Sequence, residues 1–294
     1  MSIRLALAGN PNCGKTTMFN DLTGATQYVG NWPGVTVEKK EGRYKADKEI
    51  SITDLPGIYS LSPYTLEEVI TRDFLINEKP DVIVNLVDAS NIERNLYLTT
   101  QLLEIGIPVV IALNMMDIVT KRGDTIDTKK LSAELGVPVI ETTALKGKGT
   151  AELMAAAKKA AAAGVRPAQH AFSAEIENAL AQITDLIRDV TEEGHRRWFA
   201  VKLFERDEKV LARFQFSQET RDKLEKIITA VEDELDDDAE SIITDARYQY
   251  ITKLVKPVVK KKKTGLTVSD KIDHIVTNRI LALPIFALVM FVVY

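Results

Sequence analysis

The stretch Gly9-Asn10-Pro11-Asn12-Cys13-Gly14-Lys15-Thr16 has the residue types and spacing that hold a phosphate chain. Glycine lets the backbone wrap closely around anionic oxygens, so that successive N–H groups point inward. A helix opening directly after such a loop adds its N-terminal dipole. In the pattern G-x-x-x-x-G-K-[ST], Lys15 would reach the β- and γ-phosphates and the Thr16 hydroxyl would ligate Mg2+. Thr17 carries the nucleotide-binding set into the helix. Phosphate binding is the first chemistry expected of the chain.

Other groups follow in a fixed order. Asp54-Leu55-Pro56-Gly57 closes an apolar run. A carboxylate there can hold the Mg2+ shell directly or through water, and Gly57 can present its N–H to a γ-phosphate. Asn114-Met115-Met116-Asp117 closes another apolar run. The Asp117 carboxylate can accept both the ring N1–H and the exocyclic amine of guanine, a donor pair that adenine lacks. Met115 stands where a lysine stem commonly covers the base, and its thioether can still pack on the ring. Thr142-Thr143-Ala144 is expected to be the remaining base-contacting loop, with Thr143 where serine is common.

Ahead of the second apolar run lies Gly30-Asn31-Trp32-Pro33-Gly34-Val35-Thr36-Val37-Glu38. This is the place of a switch segment. Gly34, Val35 and Thr36 are expected to close over the γ-phosphate, with Thr36 on Mg2+, and to relax after hydrolysis. Two readings of Trp32 stay open: a mobile, partly exposed ring, or an anchor fixing the loop to the core. The residue after Gly57 is Ile58, which cannot orient water through its side chain, and no arginine finger is evident. Lys15 and Mg2+ must then meet the transition-state charge, Thr36 and Gly57 join Lys15 in the expected catalytic set, and hydrolysis is expected to be slow.

The elements that must position these groups are legible as well. Arg4–Ala8, Glu49–Asp54, Val82–Asp88, Pro108–Asn114 and Pro138–Thr142 are short runs rich in Val, Ile and Leu. They read as buried strands of a largely parallel sheet. Helical patterns at Lys15–Leu22, Leu66–Asn77 and Leu96–Gly106 alternate with them. The expected fold is α/β, a mostly parallel central sheet flanked by helices, with each motif at a strand end.

From about Pro167 to Lys256 the strand-like runs cease. Ala174–Thr191 repeats Ile176, Leu180, Ile183, Ile187 and Val190 at helical spacing, and Gln218–Leu235 repeats Leu224, Ile227, Ile228 and Val231. A small all-α region is expected. Lys260–Lys263 is a lysine run, and Ile280–Tyr294 is uncharged and almost wholly apolar. The latter is expected to begin a transmembrane helix, because spanning a bilayer takes about 20 residues and lysines flank cytoplasmic ends.

The chain has a net charge of −4, which argues against an electrostatic nucleic-acid binder. With Cys13 as its one cysteine, no intramolecular disulfide can form, and a reducing compartment fits. His170, His195 and His274 show no metal-ligand spacing. Glu67-Glu68 and Asp236–Asp238 are expected to be solvated faces.

The Gly9–Thr17 phrase, the Gly30–Glu38 loop, Asp54–Gly57 and Val87-Asp88-Ala89-Ser90-Asn91-x-Glu93-Arg94-Asn95-Leu96 together resemble the ferrous iron transport protein B (FeoB) family. That resemblance implies a GTPase domain over residues 1–165 and a helical regulatory domain over 166–262. Over 263–294 it implies a juxtamembrane segment and the start of a membrane helix. It implies GTP and GDP as ligands, Fe2+ as an ion carried outside this stretch, small Feo accessory proteins and a homo-oligomer as partners, and no nucleic acid. The setting would be the cell inner membrane, with residues 1 to about 275 on its cytoplasmic side. The resemblance also places K+ at Asn12 and at backbone oxygens of Gly30 and Trp32, which adds Asn12 to the catalytic set. Two alternatives stay open: a soluble, potassium-activated GTPase acting on RNA or ribosome assembly, and a non-hydrolysing nucleotide-dependent scaffold.

Overall fold

In a computed structural model the described residues are 2–24, 27–62, 64–167, 170–262 and 289–291. The buried apolar runs form the middle of a sheet. Strands β1 (Ile3–Gly9), β2 (Gln27–Asn31), β3 (Glu38–Arg43), β4 (Ile50–Asp54), β5 (Val82–Asp88), β6 (Val109–Asn114), β7 (Thr125–Ile126) and β8 (Val139–Glu141) follow one another in the chain. The main sheet has the order β2-β3-β4-β1-β5-β6-β8. Strands β4, β1, β5, β6 and β8 run parallel, as expected of runs such as Val82–Val87 that are buried on both faces.

Helices α1 (Lys15–Thr23), α2 (Leu66–Asn77), α3 (Ile92–Ile105), α4 (Met116–Arg122), α5 (Thr128–Leu135) and α6 (Thr150–Ala163) cover the sheet. The phosphate loop thus connects β1 to α1, and the Asp54 loop leads from β4 towards α2. Helix α2 starts at a capping box: Thr65 Oγ1 accepts from the Glu68 N–H at 3.2 Å and Glu68 Oε2 accepts from the Thr65 N–H at 3.1 Å. Glu68 is therefore buried, contrary to the expectation of a solvated face.

The hairpin of β2 and β3 is absent from the apolar pattern. Its strands pair antiparallel, Gly30 opposite Lys39 and Asn31 opposite Glu38, and β3 pairs antiparallel with β4. The charged sequence Glu38–Arg43 gives no alternation to read; backbone pairing at the sheet margin forms it. The expected switch segment is consequently shortened to Trp32–Val37.

Beyond it come α7 (Ala174–Leu186), α8 (Arg196–Phe204), α9 (Glu208–Arg213), α10 (Gln218–Leu235) and α11 (Ala239–Val255). Helix α7 stops before Val190, which is exposed rather than on the apolar face. There the Val190 N–H and the Thr191 hydroxyl both turn back to the Ile187 carbonyl. The chain then forms β9 (Val259–Lys260), antiparallel to β7, just beyond the helical stretch.

One apolar core runs from sheet to helices, joining Leu98, Leu102 and Ile105 to Phe204, Ile251 and Leu254. Buried charges cross the same boundary. Arg247 donates to Glu104 and to Glu205, each at 2.8 Å. Lys202 reaches Glu205 at 2.6 Å, and Arg72 on α2 pairs with Asp207 at 2.9 Å. The expected membrane segment Ile280–Tyr294 lies outside the described residues except for Val289–Phe291. No helix among the described residues is long and apolar enough to cross a membrane.

Candidate functional site

The loop between β1 and α1 is held by close contacts that glycine alone tolerates. Gly14 has φ 93°, and a Cβ there would lie 2.4 Å from Asn114 Nδ2. Asn12 is also left-handed, at φ 64°. Asn114 ties the motifs together. Its Nδ2 donates to the Cys13 carbonyl at 2.8 Å, and its Oδ1 accepts from the Ala144 N–H at 3.0 Å and from the Thr142 hydroxyl at 3.4 Å. One side chain at the end of β6 thereby ties the phosphate loop to the loop after β8.

These loops surround a cavity of about 740 Å³ at the carboxyl ends of the parallel strands. Asn10, Pro11, Asn12, Gly14, Lys15, Thr16 and Thr17 line it from the first loop and Gly57 from the second. Asn114, Met115 and Asp117 line it from the third loop, Thr143 and Ala144 from the fourth. Among these, Asn10 is buried with neither side-chain polar atom hydrogen-bonded to protein, which leaves its amide available to a ligand.

The remaining expected residues sit behind the wall or elsewhere. The Gly9 carbonyl accepts from the Ile58 N–H at 3.3 Å, and Leu55 N–H donates to Leu7 at 3.0 Å. Ile58 and Leu55 are core side chains. Pro56 does not line the cavity. Asp54 meets the cavity through Lys15, whose Nζ donates to Asp54 Oδ1 at 2.8 Å. Burial raises the Asp54 pKa above the usual carboxylate value and outweighs the opposing pull of Lys15. Burial likewise pushes the Cys13 thiol up to about 11, against a smaller effect of Lys15, so it is neutral and unsuited to nucleophilic work.

Gly30, Trp32, Gly34, Val35 and Thr36 are not brought to this cavity. Gly30 is engaged in the β2–β3 ladder. Trp32 N–H donates to Val37 at 2.9 Å, and the Trp32 carbonyl accepts from Val35 at 3.2 Å. The Trp32 ring is buried, edge-on to Phe74 of α2 at 5.5 Å, with the Lys39 ammonium 5.0 Å from its centroid. Of the two readings of Trp32, the anchored one describes this arrangement.

Sequence reasoning missed Ile118 and Leu145 on the cavity wall, and Lys146, whose ammonium lies 3.3 Å from Asp117 Oδ2. For Ile118 and Leu145 the available signal was adjacency, since each directly follows a motif. The Asp88–Asn95 stretch is a local clamp, in which Asp88 accepts from Ser90 and Asn91 while Asn95 Oδ1 accepts from the Asp88 N–H. His170 stacks on Tyr250 at 4.6 Å, His195 Nδ1 contacts the Ile105 carbonyl at 2.7 Å, and His274 lies outside the described residues. No cluster of three or more metal-ligating side chains occurs among the described residues.

A mostly parallel sheet with a phosphate loop between β1 and α1, and Asp117 across the same cavity, defines a P-loop GTPase, with a helical region after it. Residues 3–157 match the family described as ferrous iron transport protein B, and residues 172–260 match the FeoB cytosolic helical domain. The chain belongs to the ferrous iron transport protein B family. It is 44% identical, over 99% of its length and 36% of the relative's, to an Fe(2+) transport protein A/Fe(2+) transporter FeoB fusion protein of Porphyromonas gingivalis. It is 39% identical to the Fe(2+) transporter FeoB of Escherichia coli K12, covering 99% of this chain and 38% of that one. The chain thus spans little more than a third of these curated relatives. Among solved structures, an S. thermophilus NFeoB variant bound to mGDP is 45% identical with a TM-score of 0.86, covering 88% of this chain and 100% of that one. The mGMPPNP-bound S. thermophilus NFeoB is also 45% identical, with a TM-score of 0.79, covering 89% and 99%. A soluble RNA-directed GTPase is not favoured by these matches.

Proposed function

We propose that this chain binds GTP and GDP with Mg2+ and hydrolyses GTP slowly, as the cytosolic switch of a ferrous iron transporter. The observation that carries the reading is the single cavity with Lys15 at the phosphate loop and Asp117 at the base-side loop. In this reading residues 1–165 form the GTPase domain, 166–262 the helical regulatory domain, and 263–294 the juxtamembrane segment and start of a membrane helix. Residues 1 to about 275 lie on the cytoplasmic side of the inner membrane. Fe2+ passes through parts of the transporter outside this stretch, with small Feo accessory proteins and further copies of the chain as partners.

Asn10, Pro11, Asn12, Cys13, Gly14, Lys15, Thr16 and Thr17 wrap the phosphates. Thr16 and Asp54 hold Mg2+, joined by Thr36 once the switch segment closes. Their hard oxygen donors suit that ion. The bound ion supplies charge neutralisation at the phosphates. Lys15 is held by Asp54 at 2.8 Å, so closure on nucleotide exchanges this pair for Lys15–phosphate contact. Asn12 lines the cavity and fits a K+ ligand, whereas the Gly30 and Trp32 carbonyls reach such a site only if Trp32–Val37 leaves its present seat. With Ile58 in the core, no side chain follows Gly57 to orient water.

GTP and ATP turnover in KCl and in NaCl, with the Asn12→Ala variant beside wild type, tests this reading. GTP hydrolysis without ATP hydrolysis, stimulated by K+ and losing that stimulation in the variant, is expected. Equal use of ATP would overturn the guanine assignment, and equal GTP turnover in both salts would overturn the K+ role.

A further inference from the structure

Asp117 is the one acidic side chain among the described residues lining the cavity, and it must meet the edge of the base with both oxygens. Yet it is 39% exposed in the first turn of α4, where an unpaired carboxylate would be free to rotate. A freely turning group must be ordered by its ligand, at a cost to affinity. Lys146 removes that freedom. It belongs to the loop after β8, which has a closed geometry. Thr143 and Lys148 exchange backbone hydrogen bonds at 3.1 and 3.3 Å. Gly149 sits at φ 81°, with a Cβ there only 2.1 Å from the Glu141 carbonyl. The Ala144 N–H is fastened to Asn114, directly before Met115, so both base-side loops are registered by one amide.

On this footing, and resting on the guanine reading above, we propose that Lys146 is a positioning residue for guanine recognition. Its ammonium holds Asp117 Oδ2 from outside the cavity. A carboxylate has about four lone-pair sites. One is taken by Lys146, which leaves both oxygens able to accept from the ring N–H and the exocyclic amine. Leu145, 86% exposed on the cavity wall, and Met115 from the opposite loop supply apolar surface for the ring faces. Neither carries a cation, and the ammonium paired with Asp117 is that of Lys146.

The test uses calorimetric affinities for GDP, ADP and inosine diphosphate, which lacks the exocyclic amine. Wild type, Lys146→Ala and Lys146→Arg are compared at low and high salt. Lys146 is exposed, so the variants keep the fold, and a thermal melt verifies it. Lys146→Ala is expected to weaken GDP about two- to fivefold, the range of an exposed ion pair. Inosine diphosphate should lose less, because a loose carboxylate forfeits a two-pronged contact before a single one. Lys146→Arg should restore the GDP-to-inosine-diphosphate ratio, and salt should lower that ratio in wild type but not in Lys146→Ala. A ratio insensitive to Lys146→Ala, or lowered as much by Lys146→Arg, overturns the inference. Absence of any wild-type preference for GDP over ADP overturns the guanine reading itself.

Discussion

At the scale of single residues, Asn114 concentrates the most structure in the fewest atoms. It bonds the Cys13 carbonyl, the Ala144 N–H and the Thr142 hydroxyl, all buried. Asn114→Ala is expected to cost about 2–3 kcal/mol of stability, since each lost bond contributes about 1 kcal/mol and leaves a buried partner unsatisfied. It should also weaken GDP about tenfold or more by loosening three loops together. Denaturant titration and nucleotide titration of the same sample check both; full GDP affinity in the variant would show the loops are held otherwise. The phosphate-loop residues were readable because the chemistry demands particular types at fixed spacing. Lys146 was not, because an ion pair between residues 29 apart leaves no local pattern. Gly30 and Trp32 were assigned to K+ through their backbone oxygens by family resemblance. Strand pairing and the Phe74 contact hold them elsewhere, and neither force shows in a short sequence phrase.

At the scale of elements, α2 links the Asp54 loop to the helical region. Its Arg72 meets Asp207 at 2.9 Å with both side chains buried, and Lys202 lies 3.5 Å from Ser62 just ahead of α2. Arg72→Met leaves a buried carboxylate unpaired and is expected to destabilise by about 3–5 kcal/mol. Adding Asp207→Asn removes the stranded charge while keeping the acceptor that caps α9 at the Val210 N–H, so it should recover part of the loss. Urea unfolding of both variants reads this, and a double variant no more stable than Arg72→Met would deny that charge is the cause. Strands β1, β5 and β6 were legible because burial on both faces makes them continuous apolar runs. The β2–β3 hairpin was not, since β3 is nearly all charged, Tyr28 and Val29 of β2 are exposed, and its cohesion is backbone hydrogen bonding. The end of α7 was misjudged because Val190 keeps the helical spacing after the backbone has turned.

For the whole molecule, the sheet layer and the helices share one core, with ionic groups sealed inside it. His170 is buried beside Tyr250, with Glu104 3.5 Å away and Arg247, Arg197 and Glu177 nearby. Burial holds its pKa below the ordinary 6.5, helped by the two arginines and opposed by Glu104. A depressed folded value means that the unfolded chain binds the proton first, so this contribution is present above about pH 6.5 and is lost as pH falls through the folded value. Melting temperature should therefore fall on acidification from pH 7 towards 5, and less steeply in His170→Phe, which keeps the stack on Tyr250. Parallel slopes in the two proteins would assign the acid sensitivity to other groups. The short pairing of β7 with β9 carries a mechanical consequence. Strand β9 is the last element before Lys261, and Asp127 N–H also grips the Val258 carbonyl at 3.0 Å. A pull on the chain beyond Lys260 would load these bonds before it reached α11. The strain would enter the segment joining α4 to α5, and α4 begins beside Asp117. Tension applied at that point would arrive at the Asp117 end of the cavity rather than at the loop between β1 and α1.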